Sequence, residues 1–188
     1  MKLTVAINIG NALLAALILL KLPVLLPEPA PVAPPAVQYV LVRYEPASRP
    51  LVTCLDIVKK WEGYRKHAYK GKDKTWTVGL GWTRGVREGD TMGYDRAVSL
   101  ASQRCAANRA AIAQALTAPV SEQRLEVLAS LAYNAGQTAV KTSTLVRHLN
   151  NGRDDLAAEE LPRWRFIGKT PIQGLLNRRL YERALFVG

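Results

Sequence analysis

The feature that most constrains this chain is a run of prolines between residues 27 and 35. Proline lacks a backbone N–H and clashes with the preceding helical turn, so the run excludes an α-helix and favours extended polyproline II. It is predicted to form a stiff spacer of roughly 3 Å per residue. The chain is therefore expected to have three parts: an N-terminal segment at 1–26, a Pro-rich linker at 27–50 and a globular domain at 51–188. The prolines are Pro27, Pro29, Pro31, Pro34 and Pro35.

The segment before the prolines is apolar and carries no charge from Leu3 to Leu20. This length is near the lower limit for a helix that crosses a bilayer. A cleaved signal peptide is the alternative, because Lys2 and the apolar run from Ala12 to Leu20 are typical of its n- and h-regions. No Ala-x-Ala cleavage site occurs in the first 50 residues, which favours an uncleaved membrane anchor.

The chain is strongly basic, with a formal net charge of +11. Residues 51–188 alone hold 22 Lys and Arg against 13 Asp and Glu. Such a surface favours a polyanionic partner, whether nucleic acid, anionic lipid or another acidic polymer. The positive residues are scattered along the chain, so a surface that serves only solubility stays an alternative.

The domain is predicted to be mainly helical. Apolar residues at three- and four-residue spacing predict a helix from Leu51 to Trp61, which Gly63 is suited to end. From Trp76 to Thr83 apolar residues alternate with threonine and glycine, and this period of two predicts a strand in a small hairpin or sheet. The predicted fold class is α+β, with the small β part near the start of the domain. Further helical patterns lie at 92–116, 121–136, 144–149, 156–161 and from 170 onwards.

The last of these helices is predicted to begin with Thr170 as its N-cap and Pro171 in its first turn. Apolar residues recur along it at helical spacing, which predicts that this face packs against the core. These residues are Ile172, Leu175, Leu176 and Leu180.

One carboxylate lies where the first predicted helix ends and the chain turns towards the strand. The residues there are Trp61-Glu62-Gly63-Tyr64-Arg65, Ala68-Tyr69-Lys70 and Thr75-Trp76-Thr77-Val78-Gly79-Leu80-Gly81. This order resembles the phage-type lysozymes, glycoside hydrolase family 24, in which a Glu-Gly-x-Arg helix end precedes a Thr-Ile/Val-Gly-x-Gly strand. The resemblance covers about residues 51–188. Its further fragments are Gly89-Asp90-Thr91, Ala132-Tyr133-Asn134-Ala135-Gly136, Ser143-Thr144-Leu145, Leu149-Asn150-Asn151-Gly152, Pro162-Arg163-Trp164, Gly174-Leu175-Leu176-Asn177-Arg178-Arg179 and Glu182-Arg183-Ala184-Leu185-Phe186.

The resemblance implies a lysozyme-like fold and the activity of an endolysin. Such an enzyme hydrolyses peptidoglycan at the β-1,4 bonds between N-acetylmuramic acid and N-acetylglucosamine, with inversion. The resemblance gives Glu62 the role of catalytic acid and Thr77 that of positioning the attacking water. It implies that Tyr133, Asn134 and Thr144 bind substrate. Peptidoglycan, an anionic polymer that suits the basic domain, is then the expected partner of a monomer with no cofactor and no nucleic-acid ligand.

The chemistry of glycosidic cleavage is compatible with this role of Glu62. An acid must protonate the leaving oxygen while a second group steers water to the opposite face of the sugar. A carboxyl group at the C-terminus of a helix faces the negative end of the helix dipole, and the nearby Trp61 and Tyr69 are expected to add desolvation. Both effects favour the protonated form that a general acid requires.

The position of the general base departs from the family pattern. The family places an Asp, or in some members a Cys, six positions before the strand threonine, and here that position is Gly71. Asp73 follows two residues later in the same loop, so a small shift in the loop path is expected to let its carboxylate act as the base. An exposed loop aspartate between Lys72 and Lys74 is the alternative. In that case Thr77 alone orients the water, or the enzyme is impaired.

Cys54 and Cys105 are the only cysteines of the chain. Cys54 lies on the helix that leads to Glu62, and Cys105 lies on the alanine-rich helix expected to pack against it. A disulfide is therefore predicted in an oxidising periplasm, with two free core thiols as the alternative. No metal site is expected, because His67 and His148 show no ligand spacing with these cysteines.

The N-terminal segment and the resemblance together predict a signal-anchor endolysin of the signal-arrest-release type. It is expected to pass once through the host inner membrane, with a cytoplasmic N-terminus and a periplasmic catalytic domain. Two other functions stay open. One is a non-catalytic peptidoglycan-binding protein with a degenerate lysozyme fold, which the missing Asp at Gly71 would produce. The other is a basic nucleic-acid-binding protein, against which the apolar segment and the Glu62 motif count.

Overall fold

The structure is a computed structural model that describes residues 50–71 and 74–188. The predicted anchor at 1–26 and all of the linker except Pro50 lie outside the described residues, as do Lys72 and Asp73. Within the described ranges, no helix combines the length and the apolar character needed to span a bilayer. The elements follow in the order α1 (Cys54–Glu62), β1 (Arg65–Lys70), β2 (Trp76–Gly79), α2 (Tyr94–Ala113), α3 (Glu122–Ala135), α4 (Gln137–Lys141), α5 (Thr144–Asn150), α6 (Asp154–Glu160), a 3₁₀ turn (Leu161–Arg163), β3 (Phe166–Ile167), β4 (Thr170–Pro171) and α7 (Gln173–Val187).

Helix α1 is defined by strong local signals at both ends. The Thr53 hydroxyl accepts a hydrogen bond from the Asp56 backbone N–H, and the Asp56 carboxylate accepts one from the Thr53 backbone N–H, which forms a capping box. Gly63 follows the helix with a φ of 66°, a left-handed conformation that suits glycine. Glu62 is therefore the last residue of α1, and the predicted stop at Gly63 is confirmed.

Strands β1 and β2 form an antiparallel hairpin in which Tyr69 lies opposite Thr77. Two backbone hydrogen bonds close its loop, from Gly71 N to Thr75 O at 2.9 Å and from Lys74 N to Gly71 O at 3.0 Å. The alternation in the sequence therefore correctly predicts the strand, which ends at residue 79. The chain then turns towards α2.

Helix α3 forms the centre of the domain. Ser121 caps it by accepting a hydrogen bond from the Arg124 backbone N–H at 3.3 Å, as the sequence predicts. Every residue from Val127 to Tyr133 is buried, and α1, α2, α4 and α7 pack against this helix. A helix buried on all faces needs such enclosure by its neighbours. It therefore joins the hairpin side of the domain to the C-terminal helices.

A disulfide joins α1 to α2. It links Cys54 and Cys105, whose Cα atoms lie 5.8 Å apart, within the usual range for a bridge. Both residues are buried, so the predicted pairing fixes the helix that carries Glu62 to its neighbour. The sequence separation is 51 residues, for which the chain-entropy treatment gives a stabilisation of roughly 4 kcal/mol.

The start of the last helix differs from the prediction. Thr170 and Pro171 do not cap α7 but form β4, which pairs antiparallel with Phe166–Ile167. The helix begins at Gln173, and Ile172 is its N-cap without a side-chain hydrogen bond. Proline has a fixed φ that suits both the first turn of a helix and an extended strand. The Thr170-Pro171 pair therefore did not distinguish a helix start from a strand.

The buried face of α7 also differs from the predicted apolar stripe. Leu180 is 49% exposed, whereas Arg178, Arg179 and Glu182 are buried. Burial of charged groups is tolerated when ion pairs and hydrogen bonds offset the lost hydration, and Arg178 and Arg179 each pair with Glu182. The charged face therefore turns inward, together with Phe186.

Candidate active site

Glu62 reaches a cleft from the C-terminal end of α1. The cavity there has a volume of about 490 Å³, and 21% of the Glu62 side chain is exposed. Thr77, Tyr133 and Asn134 line the same cavity. The structure thus brings the predicted acid together with the strand threonine and two of the three predicted substrate-binding residues. The remaining lining residues are Tyr69, Gly81, Thr83, Arg104 and Ile167.

Arg178 holds the carboxyl group of Glu62. Its Nη1 donates a hydrogen bond to Glu62 Oε1 at 2.6 Å. The Arg178 side chain is 4% exposed, and ionic hydrogen bonds are stronger in such surroundings than in water. Its positive charge offsets the negative end of the α1 dipole.

The second carboxyl oxygen of Glu62 faces Gly81. A Cβ at position 81 would lie 3.4 Å from Glu62 Oε2, so glycine leaves space beside the acid. Tyr133 supports the turn that carries Gly81, because its hydroxyl donates to Leu80 O at 2.6 Å. Burial, the largest influence, raises the pKa of Tyr133 to about 12. The phenol therefore stays protonated and shapes the cleft through this hydrogen bond.

Thr77 enters the cleft from β2 and is 8% exposed. Its hydroxyl donates to Thr75 O at 3.4 Å, a long hydrogen bond. A hydroxyl oxygen also has lone pairs that can accept a hydrogen bond from water. Its place in the same cavity as Glu62 is compatible with the water-positioning role that the resemblance implies.

Asp73, the expected general base, lies outside the described residues. Gly71, where the family carries its Asp, is described, and its backbone takes part in both hydrogen bonds that close the hairpin loop. The role of Asp73 as general base therefore stays a prediction from the sequence.

Thr144, the third predicted substrate-binding residue, does not line the cavity of Glu62. It lines a second cavity of about 560 Å³, together with Trp164. The two cavities share Asn134 and Ile167. Thr144 thus lies in a cavity that adjoins the cleft of Glu62.

A third cavity, of about 470 Å³, shares Thr83 and Arg104 with the cleft. The Trp82 ring and the side chains of Arg84 and Gln103 line it. None of its described lining residues is acidic. The three cavities adjoin one another through shared lining residues, and we refer to them together as the groove; arginines lie at this part of it.

The comparisons with known proteins agree with this geometry. The phage lysozyme family matches residues 59–182, which include both Glu62 and Arg178. The chain belongs to the phage lysozyme family. Its fold is accordingly lysozyme-like, mostly helical with small antiparallel sheets, as the sequence predicts.

Individual members and structures are similar over most of the domain. The endolysin of Acyrthosiphon pisum secondary endosymbiont phage 1 is 34% identical over 136 residues, which cover 70% of this chain and 93% of that protein. The SAR-endolysin of Enterobacteria phage P21 is 31% identical over 125 residues, which cover 66% of this chain and 76% of that protein. The solved muramidase domain of SpmX from Asticaccaulis excentricus has a TM-score of 0.66 and 27% identity, and covers 72% of this chain and 95% of that one.

Some residues at the site were not predicted from the sequence. Arg178 lies within a fragment that resembles the family pattern, but no role was predicted for it. No role was predicted for Arg104 either. A signal for Arg178 existed, because Arg178 and Glu182 have the i, i+4 spacing of a helical ion pair. Among the described residues, no cluster of three or more His, Cys, Asp or Glu side chains has the geometry to hold a metal ion.

Proposed function

We propose that this chain is a glycoside hydrolase of peptidoglycan. As a muramidase, it would cleave the β-1,4 bonds between N-acetylmuramic acid and N-acetylglucosamine during host cell lysis. The observation that carries the proposal is the placement of Glu62 in a cleft, with its carboxyl group held by the buried Arg178. The endolysins and the muramidase domain to which the chain is similar support the same function.

In the proposed reaction, Glu62 donates its proton to the glycosidic oxygen as the bond to the anomeric carbon breaks. A water molecule attacks the opposite face of the sugar. Asp73 takes the proton of that water, and the Thr77 hydroxyl orients it. Inversion requires that the acid and the base leave room between them for this water.

The groove suits a long anionic polymer. Trp82 and Trp164 line its two outer cavities and offer aromatic surfaces for sugar rings. Arg84 and Arg104 supply positive charge, and the net positive charge of the domain raises the local concentration of a polyanion. We therefore propose peptidoglycan as the partner, bound by a monomer along this groove at residues that include Tyr133, Asn134 and Thr144.

The products of peptidoglycan digestion test the proposal. A muramidase releases fragments with N-acetylmuramic acid at the new reducing end, whereas a glucosaminidase releases N-acetylglucosamine there. A non-catalytic wall-binding protein would sediment with peptidoglycan and release no reducing ends. No contact among the described residues favours that alternative.

We also propose that residues 1–26 form a single-pass signal-anchor and that residues 27–50 form the linker. The catalytic domain at 51–188 would then lie in the periplasm and the N-terminus in the host cytoplasm. The uncharged run from Leu3 to Leu20 and the similarity to a SAR-endolysin support this arrangement.

Fractionation of expressing cells, with mass measurement of the membrane-bound and soluble periplasmic forms, tests the anchor. The full-length mass is expected in both fractions. A single soluble form that lacks about the first 26–36 residues would show a cleaved signal peptide instead.

A further inference from the structure

Glu182 is a carboxylate in the interior of the domain, 0% exposed. It lies on α7 and lines none of the three cavities described above. A buried charge is costly unless ion pairs and hydrogen bonds offset the lost hydration. Its contacts lead from the interior to the cleft.

Arg178 lies between Glu182 and the catalytic acid. Its Nη1 donates to Glu62 Oε1 at 2.6 Å, and its Nε donates to Glu182 Oε1 at 3.1 Å. Ser130 completes the contact: its hydroxyl donates to Glu182 Oε1 at 2.9 Å and accepts from Arg178 Nη2 at 3.2 Å. One guanidinium is thus shared by two carboxyl groups.

Arg179 contacts the second oxygen of Glu182. Its Nε lies 3.1 Å from Glu182 Oε2, and its Nη2 lies 3.4 Å from Oδ1 of Asn134, which lines the cleft. Burial, the largest influence, lowers the pKa of Arg179 to about 10, so the side chain stays charged at neutral pH. Two guanidinium groups therefore flank one buried carboxylate behind the cleft.

These positive charges oppose the function of a general acid. The acid must hold a proton before it can donate one, whereas nearby guanidinium groups favour its ionised form. Arg104 on α2 adds a further positive charge to the cleft lining. The other titratable groups of the described lining, besides Glu62 itself, are Tyr69 on β1 and Tyr133 on α3.

We propose that Glu182 is a positioning residue that holds Arg178 and Arg179 and offsets their charge, so that Glu62 keeps its proton at the pH of catalysis. The inference rests on the proposed muramidase function. It assigns to the buried charges of α7 a role in the reaction as well as in folding.

The pH dependence of peptidoglycan hydrolysis tests this role, because its alkaline limb reports loss of the proton from the acid. In Glu182→Gln the two arginines lose their counter-charge, and the limb is expected to move to lower pH by roughly one unit. On the alkaline side this shift corresponds to about a tenfold loss of activity, with little loss at acidic pH. Arg179→Gln removes a positive charge and is expected to move the limb to higher pH.

Two further variants separate this effect from a simple change of charge or fold. Glu159 pairs with Arg183 at the surface, where 61% of its side chain is exposed. Glu159→Gln therefore changes the net charge by the same amount as Glu182→Gln, and its alkaline limb is expected to coincide with that of the unmodified protein. Glu182→Asp keeps the carboxylate, so its alkaline limb is also expected to stay at the pH of the unmodified protein.

The inference is overturned if Glu182→Gln lowers activity by the same factor at every pH, because that result describes a structural role alone. If Glu182→Gln does not fold, the pH profile of Arg179→Gln is the test. An alkaline limb at the same pH as in the unmodified protein then also overturns the inference. An unmodified protein that releases no reducing ends would instead refute the proposed function. The two failures are therefore distinguishable.

Discussion

Arg178 and Glu62 form an ion pair across 116 residues of sequence, with 2.6 Å between Arg178 Nη1 and Glu62 Oε1. One residue ends the first helix of the described domain, and the other lies on the last. Arg178 therefore holds the Glu62 carboxyl group in place only when α7 has packed against the rest of the domain. The Glu-Gly-x-Arg motif supplies Glu62, the proposed acid, and the C-terminal helix supplies the side chain that holds it.

Replacing Arg178 by Met is expected to lower the free energy of unfolding by about 3–5 kcal/mol, because Glu182 then loses a partner in the interior. Arg183→Met on the same helix removes the half-buried partner of the exposed Glu159 and is expected to cost less than about 1 kcal/mol. Urea unfolding followed by circular dichroism measures both changes. Equal small effects would contradict the buried role of Arg178.

The disulfide is expected to protect the folded domain. Thiol titration of denatured, non-reduced periplasmic protein should find no free cysteine. Reduction should lower the free energy of unfolding by roughly 2–4 kcal/mol, because the Cys54–Cys105 bridge restrains the unfolded chain. Two titratable thiols in the non-reduced sample would contradict the bridge.

Gly79 is expected to tolerate no side chain. A Cβ there would lie 2.7 Å from Met92 Sδ and 2.9 Å from Ala97 Cβ, and its φ is +67°. Gly79→Ala should therefore lower the free energy of unfolding by about 2–4 kcal/mol, through backbone strain and overpacking together. Gly85, with a φ of +72° and no described heavy atom within 4 Å of a built Cβ, is the matched control, and Gly85→Ala should cost about 1 kcal/mol. Equal losses in the two variants would contradict the close approach at Gly79.

The elements with strong local signals were predictable from the sequence. Gly63 ends α1, Ser121 caps α3, and alternation marks β2, because each signal lies within one turn or one strand. The start of α7 was not predictable in this way. Thr170 and Pro171 have the composition of a helix start, but they pair with β3 and form a strand.

The candidate site was predictable only in part. Glu62 and Thr77 follow from the family resemblance and from the position of Glu62 at a helix end. The contact between Arg178 and Glu62 was missed because an ion pair across 116 residues leaves no local pattern. The burial of Arg179 and Glu182 contradicts the average rule that charged residues face water, so an apolar stripe was predicted where the structure has a charged one.

The base is expected to be Asp73. Asp73→Asn keeps the size of the side chain but removes its capacity to accept a proton, so peptidoglycan hydrolysis should fall by about a hundredfold or more. Adding Gly71→Asp to that variant places a carboxylate at the family position and is expected to recover part of the activity. Full activity of the folded Asp73→Asn protein would show that Thr77 orients the water without this carboxylate.

The most direct test of the central claim is the rate at which Glu62→Gln releases reducing ends from purified peptidoglycan. The substitution keeps the size of the side chain and an oxygen that accepts from Arg178, but it removes the transferable proton. The rate is expected to fall by at least about a hundredfold, with an unchanged circular dichroism spectrum. Near-normal turnover by a folded Glu62→Gln protein would contradict the assignment of Glu62 as the catalytic acid.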